Sequence, residues 1–254
     1  MTELVNDSSK GEFLRLCCKE DIIACRIACL YESYSGYSGL ADFWIHYNNG
    51  IPAAALARYG GALSIFCAGE QDNNELAEFS AVIGAKYLES NIKLPGTEAG
   101  GIIMKLSAPC INAGGRDESI SIHWGEPDFK AAHRLLCACE SESFRAPAYE
   151  SFLLEASHRL RHGTSRCCWG MSGGRMISFA MTAAESSSCA LIGSVCTDKT
   201  FRRKGAAGAC LSALISQLRG KSIFIIRAYD ENEAFYHGLG FENSGKYYFA
   251  ERKK

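Results

Sequence analysis

A basic segment in the last quarter of the chain has residue types that could bind an anion. An apolar stretch precedes it, and small residues that open a helix-like pattern follow it. Helix N-termini carry unpaired N–H groups and partial positive charge, and small residues let a phosphate approach the backbone. The residues therefore predict a phosphate-binding loop; the alternative is a solvated basic loop before an ordinary helix. The loop consists of Arg202, Arg203, Lys204, Gly205, Ala206, Ala207 and Gly208.

Hydrophobic periodicity predicts the elements that position this loop. In the C-terminal half we expect helices at 128–141, 148–161, 205–218 and 232–238, and strands at 165–171, 175–184, 188–196, 222–228 and 241–250. In the N-terminal half we expect helices at 12–33 and 75–88, strands at 42–47, 51–59 and 62–68, and a hairpin turn at Asn49-Gly50. Residues 95–125 are rich in Gly and Pro and predict irregular strands joining the halves.

Composition limits the classes of protein that fit. The 254 residues are 47% apolar and 22% charged with a net charge of −1, which excludes a disordered chain, a collagen and a coiled coil. A near-neutral chain has no basic field to hold nucleic acid. No apolar run reaches the roughly 18 residues of a membrane span, and the first residues lack the pattern of a signal peptide. We therefore expect a cytoplasmic protein with no nucleic-acid or membrane partner.

The thirteen cysteines predict reduced thiols that pack as small hydrophobes. Many of them lie in apolar runs, as in the pairs 17/18, 25/29, 137/139 and 167/168. His133 with Cys137, and Cys25 with Cys29, could share a helix face, but neither pair has the second half of a zinc site. We expect no metal.

Two motifs in the last 125 or so residues resemble the GNAT superfamily of acyl-CoA-dependent N-acyltransferases. Arg202-x-x-Gly205-x-Ala207 resembles the Arg/Gln-x-x-Gly-x-Gly/Ala signature of that family. The segment from Asn232 to Phe241 resembles its Asn-x-x-Ala-x-x-Phe-Tyr-x-x-x-Gly-Phe segment, with a compressed spacing near the start. The resemblance implies a mixed, mostly antiparallel sheet flanked by helices, an α/β (α+β) fold.

The resemblance also implies a coenzyme A site. In the family, the strand before the loop splays from its neighbour at a bulge, and the pantetheine arm pairs with its edge. That assigns the backbone of Val195, Cys196 and Thr197 to the pantetheine, and the loop to the pyrophosphate. Asn232 in the second motif joins the cofactor-binding set, and an N–H near Val195 would stabilise the developing oxyanion.

Two residues are the candidates for proton transfer. Tyr236 lies where many family members place a tyrosine that protonates the leaving thiolate; the alternative is that it only packs. Glu185 lies between two predicted strands, near the carboxylate of some relatives, and is the candidate base; the alternative is a solvated turn residue. Asp198 could replace it or cap the turn, and a water chain could replace both. A covalent role for Cys196 is not expected.

Two further motifs are interpreted as turns. The Gly-x-Ser-x-Gly match at 170–174 lacks the following helix of a hydrolase elbow and predicts a hairpin turn. The segment 240–246 resembles a P-loop but has Tyr247 in place of the needed Ser/Thr, and it also predicts a turn.

The N-terminal half has the same helix, strand and helix order without the phosphate loop. We therefore expect two domains, a degenerate GNAT-like or accessory domain at 1–125 and an acetyl-CoA-binding GNAT domain at 126–254. The aromatic residues of the first domain are expected in its core or at an interface: Phe43, Trp44, Tyr47, Tyr59 and Phe66.

The predicted function is transfer of an acetyl group to a primary amine on a small molecule or peptide. The alternatives are a non-catalytic acyl-CoA-binding or sensing module and transfer to a hydroxyl or of a longer acyl chain. The acceptor and the oligomeric state cannot be read from the sequence.

Overall fold

The computed structural model describes residues 1–37, 39–108, 118–229 and 231–252, which form two compact units. The first unit comprises Met1–Ile103, Glu185–Cys189 and Ser244–Lys254; the second comprises Met104–Ala184 and Ala190–Asn243. The units do not follow the expected cut between residues 125 and 126, because each one includes residues from both sides of it. Part of the predicted linker, residues 109–117, lies outside the described residues.

In the first unit the strands follow the order β1-β2-β3-β4-β5-β12. All the recorded strand pairs in this unit are antiparallel except the parallel pair β4 and β5. The strands are β1 (Thr2–Leu4), β2 (Ala41–Asn48), β3 (Ile51–Tyr59), β4 (Ala62–Cys67), β5 (Tyr87–Ser90) and β12 (Phe241–Glu251). The helices are α1 (Lys10–Cys17), α2 (Ile22–Tyr34) and α3 (Asn73–Val82).

Local chemistry explains these elements. The hairpin prediction is confirmed: Asn49 and Gly50 have φ values of 51° and 77°, as a two-residue turn between β2 and β3 requires. The single helix predicted at 12–33 is wrong, because Asp21 begins a new helix by accepting hydrogen bonds from Ile23 N and Ala24 N.

The helix predicted at 75–88 is also wrong at its C-terminal end. It stops at Val82, Gly84 takes a φ of 70°, and Leu88 is buried in β5 rather than on a helix face. A hydrophobic core forms around β3, β4 and α3, including Trp44, Leu56 and Leu76. Phe43, Trp44 and Phe66 are buried, as predicted; Tyr47 donates a hydrogen bond to Glu12, and Tyr59 stacks on Tyr34.

The second unit has its sheet in the order β6-β11-β10-β9-β8-β7. The strands are β6 (Glu98–Leu106, which enters this unit at Met104), β7 (Ser121–Trp124), β8 (Cys167–Ser172), β9 (Arg175–Glu185), β10 (Cys189–Thr197) and β11 (Ser222–Arg227). The helices are α4 (Phe129–Ala138), α5 (Tyr149–Arg161), α6 (Ala206–Gln217) and α7 (Glu233–Gly238). The predicted elements of this half are confirmed to within a few residues.

The two expected turns have different outcomes. Gly173 and Gly174, with φ of 55° and 75°, form the hairpin between β8 and β9, so that prediction is confirmed. The turn predicted at 240–246 is wrong, because residues 241–251 form the single strand β12. The aromatic residues after Lys246 extend that strand.

A core joins α4 and α5 to the sheet of the second unit. Leu135, Leu136 and Phe152 from the helices pack with Phe179 and Cys196 from β9 and β10. This packing holds the end of α4 against β10. None of the described helices is long and apolar enough to cross a membrane.

Candidate functional site

Strand β10 is distorted where the predicted pantetheine-binding residues begin. Ser194 has a φ of 52°, a left-handed conformation that is rare for a residue other than glycine inside a strand. An αL residue is typical of a bulge, which bends a strand and leaves backbone groups unpaired. Val195, Cys196 and Thr197 follow this point directly.

A short turn connects β10 to α6 and fixes the basic loop. Asp198 accepts hydrogen bonds from Thr200 N (2.9 Å) and Thr200 Oγ1 (2.6 Å), and its carboxylate lies 2.5 Å from Arg175 Nη2. These hydrogen bonds, with Arg175 and Arg202 nearby, lower the pKa of Asp198. Asp198 therefore caps the turn, which is one of the two roles expected for it. Its lowered pKa makes it a weak base.

The N-terminus of α6 is open. Gly205 precedes the helix with a φ of 77° and has no side chain to cap it, and Arg203 has a φ of 62°. The first-turn N–H groups of a helix have no intrahelical acceptor, so an external anion can satisfy them. Arg202 and Arg203 are exposed beside this end of the helix, where they add full positive charge.

A cavity of about 1240 Å³ brings most of the predicted site residues together. Its walls come from β10, the basic loop, the start of α6, the end of β11, α7 and the segment after α4. The predicted residues that line it are Val195, Cys196, Thr197, Arg202, Arg203, Gly205, Ala206, Ala207, Gly208, Asn232 and Tyr236. Its described lining does not include Lys204, whose Nζ lies 4.8 Å from the centroid of the Phe201 ring.

Tyr236 lies on α7 with its ring in an apolar environment. The side chain is 8% exposed and its ring contacts Phe235 and Phe241. Burial raises the pKa of Tyr236 to about 12, so the phenol keeps its proton at neutral pH.

Glu185 is the last residue of β9 and is only 1% exposed. The alternative of a solvated turn residue is therefore wrong. The described lining of the cavity does not include Glu185, and its role as a base stays a prediction.

Sequence reasoning missed Arg227, the last residue of β11. Its guanidinium is 4% exposed and lies 2.7 Å from Glu233 Oε1, and Nη1 donates to the carbonyl oxygens of Ala228 and Tyr229. Nε is buried with no hydrogen-bond partner, although Arg227 lines the cavity. A charged residue closing the apolar run Ile223–Ile226 was the available signal. The Nε–H group of Arg227 is therefore a donor for an oxygen acceptor on a ligand.

Cys139, which follows α4, was also missed. Its Sγ lies 3.3 Å from the Thr197 carbonyl oxygen, and the thiol lines the cavity with Cys196 and Arg202. No sequence pattern predicts this contact, because the partners are far apart in the chain. On the same side, Ser143 Oγ donates a hydrogen bond to Glu231 (2.7 Å).

The residues present suit coenzyme A. The uncapped α6 N-terminus and two arginines suit a pyrophosphate, and the residues after the bulge suit an extended arm with amide groups. The described residues contain no cluster of three or more His, Cys, Asp or Glu side chains that could hold a metal ion.

Solved structures with the same fold cover the whole chain. A tandem GNAT protein from the clavulanic acid biosynthesis pathway is 14% identical, with a TM-score of 0.64, over 100% of this chain and 99% of that one. A Drosophila protein is 12% identical with a TM-score of 0.65 (99% and 98% covered), and a GNAT acetyltransferase from Colwellia psychrerythraea is 13% identical with a TM-score of 0.59 (100% of each). No curated protein sequence matches this chain.

The fold therefore matches that of tandem GNAT structures, and the N-terminal half is GNAT-like in structure as well. Residues 129–241 match the model of the acetyltransferase (GNAT) family.

Proposed function

We propose that the second unit transfers the acetyl group of acetyl-CoA to a primary amine by direct attack. The observation that carries the proposal is one cavity lined by the uncapped start of α6, strand β10 with its left-handed Ser194, and Tyr236. These parts match the three needs of the reaction: to bind a phosphate, to align an extended arm and to donate a proton.

The basic loop holds the pyrophosphate in this proposal. Backbone N–H groups from Arg203 to Gly208 donate hydrogen bonds, and Arg202 and Arg203 add charge. Gly205 suits this position because its φ of 77° favours glycine and because it presents no side chain to the ligand.

Strand β10 aligns the reacting group. When bound, acetyl-CoA supplies an acetyl group activated as a thioester. The backbone of Val195 to Thr197 orients the pantetheine arm, and an N–H near Val195 stabilises negative charge on the carbonyl oxygen. Asn232 lies in the same lining and supports the arm from α7.

Tyr236 donates a proton as negative charge develops on the leaving sulfur. With a pKa near 12 it is protonated throughout the neutral range, so it is always ready as a donor. Both candidates for removal of the amine proton, Glu185 and a water chain, stay open, because Glu185 is buried outside the described lining of the cavity. The acceptor is an amine on a small molecule or a peptide, with no nucleic acid or membrane partner.

The test is calorimetry with acetyl-CoA, followed by a screen of amine acceptors that measures release of free coenzyme A thiol. The variant is Arg203→Gln; the matched control is Arg219→Gln, which removes the same charge from an exposed site past the other end of α6. We expect Arg203→Gln to weaken binding about tenfold or more, since a charge-assisted hydrogen bond contributes about 1.5–3 kcal/mol. Arg219→Gln should bind like wild type.

Three outcomes separate the hypotheses. Binding with turnover supports the acetyltransferase. Binding without turnover for any amine replaces it with the acyl-CoA-binding or sensing module. No binding by the wild type overturns both.

A further inference from the structure

The guanidinium of Arg227 is held in one place in the wall of the cavity. Arg227 ends β11, the strand next to β10 in the sheet, and its side chain is 4% exposed. Nη1 donates hydrogen bonds to the carbonyl oxygens of Ala228 (3.1 Å) and Tyr229. Nη2 lies 2.7 Å from Oε1 of Glu233, at the start of α7. These contacts fix the guanidinium between the end of β11 and α7.

The third guanidinium nitrogen of Arg227, Nε, is different. Within the part of the chain that the structure describes, it is buried and has no hydrogen-bond partner. A buried donor without an acceptor costs free energy, so such groups in native structures bond to something outside the chain, a ligand or a water molecule. Because Arg227 lines the cavity, a molecule bound there can supply the acceptor.

The surroundings of Nε limit the chemistry of that acceptor. The carboxylate of Glu233 already compensates the charge of the guanidinium, and it also accepts a hydrogen bond from Asn243 Nδ2 (3.2 Å). A phosphate or carboxylate group on the ligand would be repelled by this carboxylate. A neutral carbonyl oxygen is not repelled, and it brings no hydrogen that needs a partner of its own.

We propose that Arg227 Nε–H forms a subsite for an amide carbonyl oxygen of a molecule bound in the cavity. This inference rests on the proposed function, because its two sources of an amide belong to that reaction: the pantetheine arm of acetyl-CoA and a peptide acceptor. The bonds on Nη1 and Nη2 orient the donor in advance, so binding costs little side-chain entropy.

The experiment replaces Arg227 by lysine in the full chain. Arg227→Lys keeps a positive charge for Glu233 and has no N–H at the position of Nε. The matched control is Arg159→Lys, because Arg159 is 16% exposed, pairs with Glu155 (3.6 Å) and donates to the Ala183 carbonyl oxygen (2.6 Å). Arg159 is outside the described lining of the cavity.

Calorimetry compares coenzyme A with adenosine 3′,5′-bisphosphate, its nucleotide part without the amide groups. We expect Arg227→Lys to weaken coenzyme A binding about fivefold, the effect of one net hydrogen bond, and to leave the bisphosphate affinity unchanged. Arg159→Lys should bind both ligands like wild type. This result assigns the carbonyl oxygen to the pantetheine arm.

The second arm of the experiment compares glycinamide with ethylamine, which lacks the carbonyl group, as acetyl acceptors. Unchanged coenzyme A affinity in Arg227→Lys, with a higher KM for glycinamide and the same KM for ethylamine, assigns the oxygen to a peptide-like acceptor. Unchanged coenzyme A affinity without this KM difference overturns the proposal and leaves Nε to a water molecule.

A second variant separates ligand binding from a loosened connection between β11 and α7. Glu233→Gln removes the charged partner of the guanidinium but keeps Nε, and we expect it to bind coenzyme A almost like wild type. An equal loss in Glu233→Gln and Arg227→Lys assigns the effect to the connection and overturns the subsite. A wild-type protein that binds no coenzyme A overturns the proposed function instead, so the two failures are distinguishable.

Discussion

A single residue distinguishes two of the described strand-to-helix connections, the one from β4 to α3 and the one from β10 to α6. Asp72 precedes α3 and its carboxylate accepts hydrogen bonds from Asn74 N (2.8 Å) and Glu75 N (3.2 Å). Gly205 precedes α6 and offers no such acceptor. The first-turn groups that an anion would use are therefore occupied in the first unit and open in the second. For this reason we do not expect a phosphate site at the β4–α3 connection.

The capping of α3 by Asp72 leads to a prediction about the stability of the protein. Asp72→Ala should lower the free energy of unfolding by about 1 kcal/mol, because the orphan N–H groups lose their acceptor. Thermal unfolding should shift down by about 3 °C. Asn74→Ala, an exposed change in the same turn, is the control and should leave the midpoint almost unchanged. An equal loss in both variants would show that the cap contributes nothing specific.

The proton-donor role proposed for Tyr236 leads to a prediction about turnover. Tyr236→Phe keeps the ring packed against Phe235 and Phe241 and removes only the proton donor. Turnover should fall about 10²-fold or more, with the affinity for acetyl-CoA unchanged in calorimetry.

The pH dependence follows from the raised pKa of Tyr236, which keeps the phenol neutral until pH approaches about 12. Any loss of kcat between pH 8 and 10 must then come from another group. An alkaline limb in that range that disappears in Tyr236→Phe would contradict this assignment.

At the scale of elements, the site lies where strand β10, distorted at Ser194, meets the uncapped helix α6. Both features are local in sequence, and this is why the loop and α6 were predictable: a run of basic and small residues specifies its own helix start. The contacts of Arg227 and Cys139 were not predictable, because each residue meets its partners only after β11 and α4 have packed. Lys204 shows the opposite case, since its basic type suggested a ligand contact but it lies over Phe201.

The start of α6 leads to a prediction that separates the effect of charge at position 205 from the effect of side-chain size. Gly205→Asp places a carboxylate at the assigned pyrophosphate position, and Gly205→Asn places a neutral side chain of the same size there. Both residues tolerate a positive φ better than most, so their strain is similar. We expect Gly205→Asp to bind acetyl-CoA at least tenfold more weakly than Gly205→Asn, with a difference that shrinks at high salt. Equal affinities would indicate that the pyrophosphate lies elsewhere.

At the scale of the whole molecule, the order of elements repeats. A strand, two helices, three strands, a helix and a strand occur from β1 to β5 and again from β7 to β11. A helix, three strands and a helix were predictable in both halves from hydrophobic periodicity, whereas β1, the break between α1 and α2, and β5 were not predicted. The strand that completes the sheet of each unit was not predictable. In the first unit β12 pairs with β5, and residues 104–106 of β6 belong to the second unit. Such long-range pairings leave no local signal in the residues that make them.

The assignment of residues 104–106 of β6 to the second unit predicts how fragments of the chain behave. The fragment 126–254 lacks β7 and the end of β6, so its sheet should be incomplete. We expect it to be less soluble and to unfold at a lower temperature than the fragment 104–254, which retains both, as measured by circular dichroism melts of the soluble fractions. Equal melting of the two fragments would show that β6 and β7 add no stability to this unit.

The pairing of β5 with β12 also affects the order in which the chain can fold. Tyr87 to Ser90 are synthesised early, whereas their partners, Tyr248 to Glu251, leave the ribosome after the whole of the second unit. Because domains fold as they emerge, the first unit must wait with one edge of β5 unpaired while the second is made. A nascent chain stalled before residue 248 would therefore expose that edge to chaperones, and release of the last strand would close it.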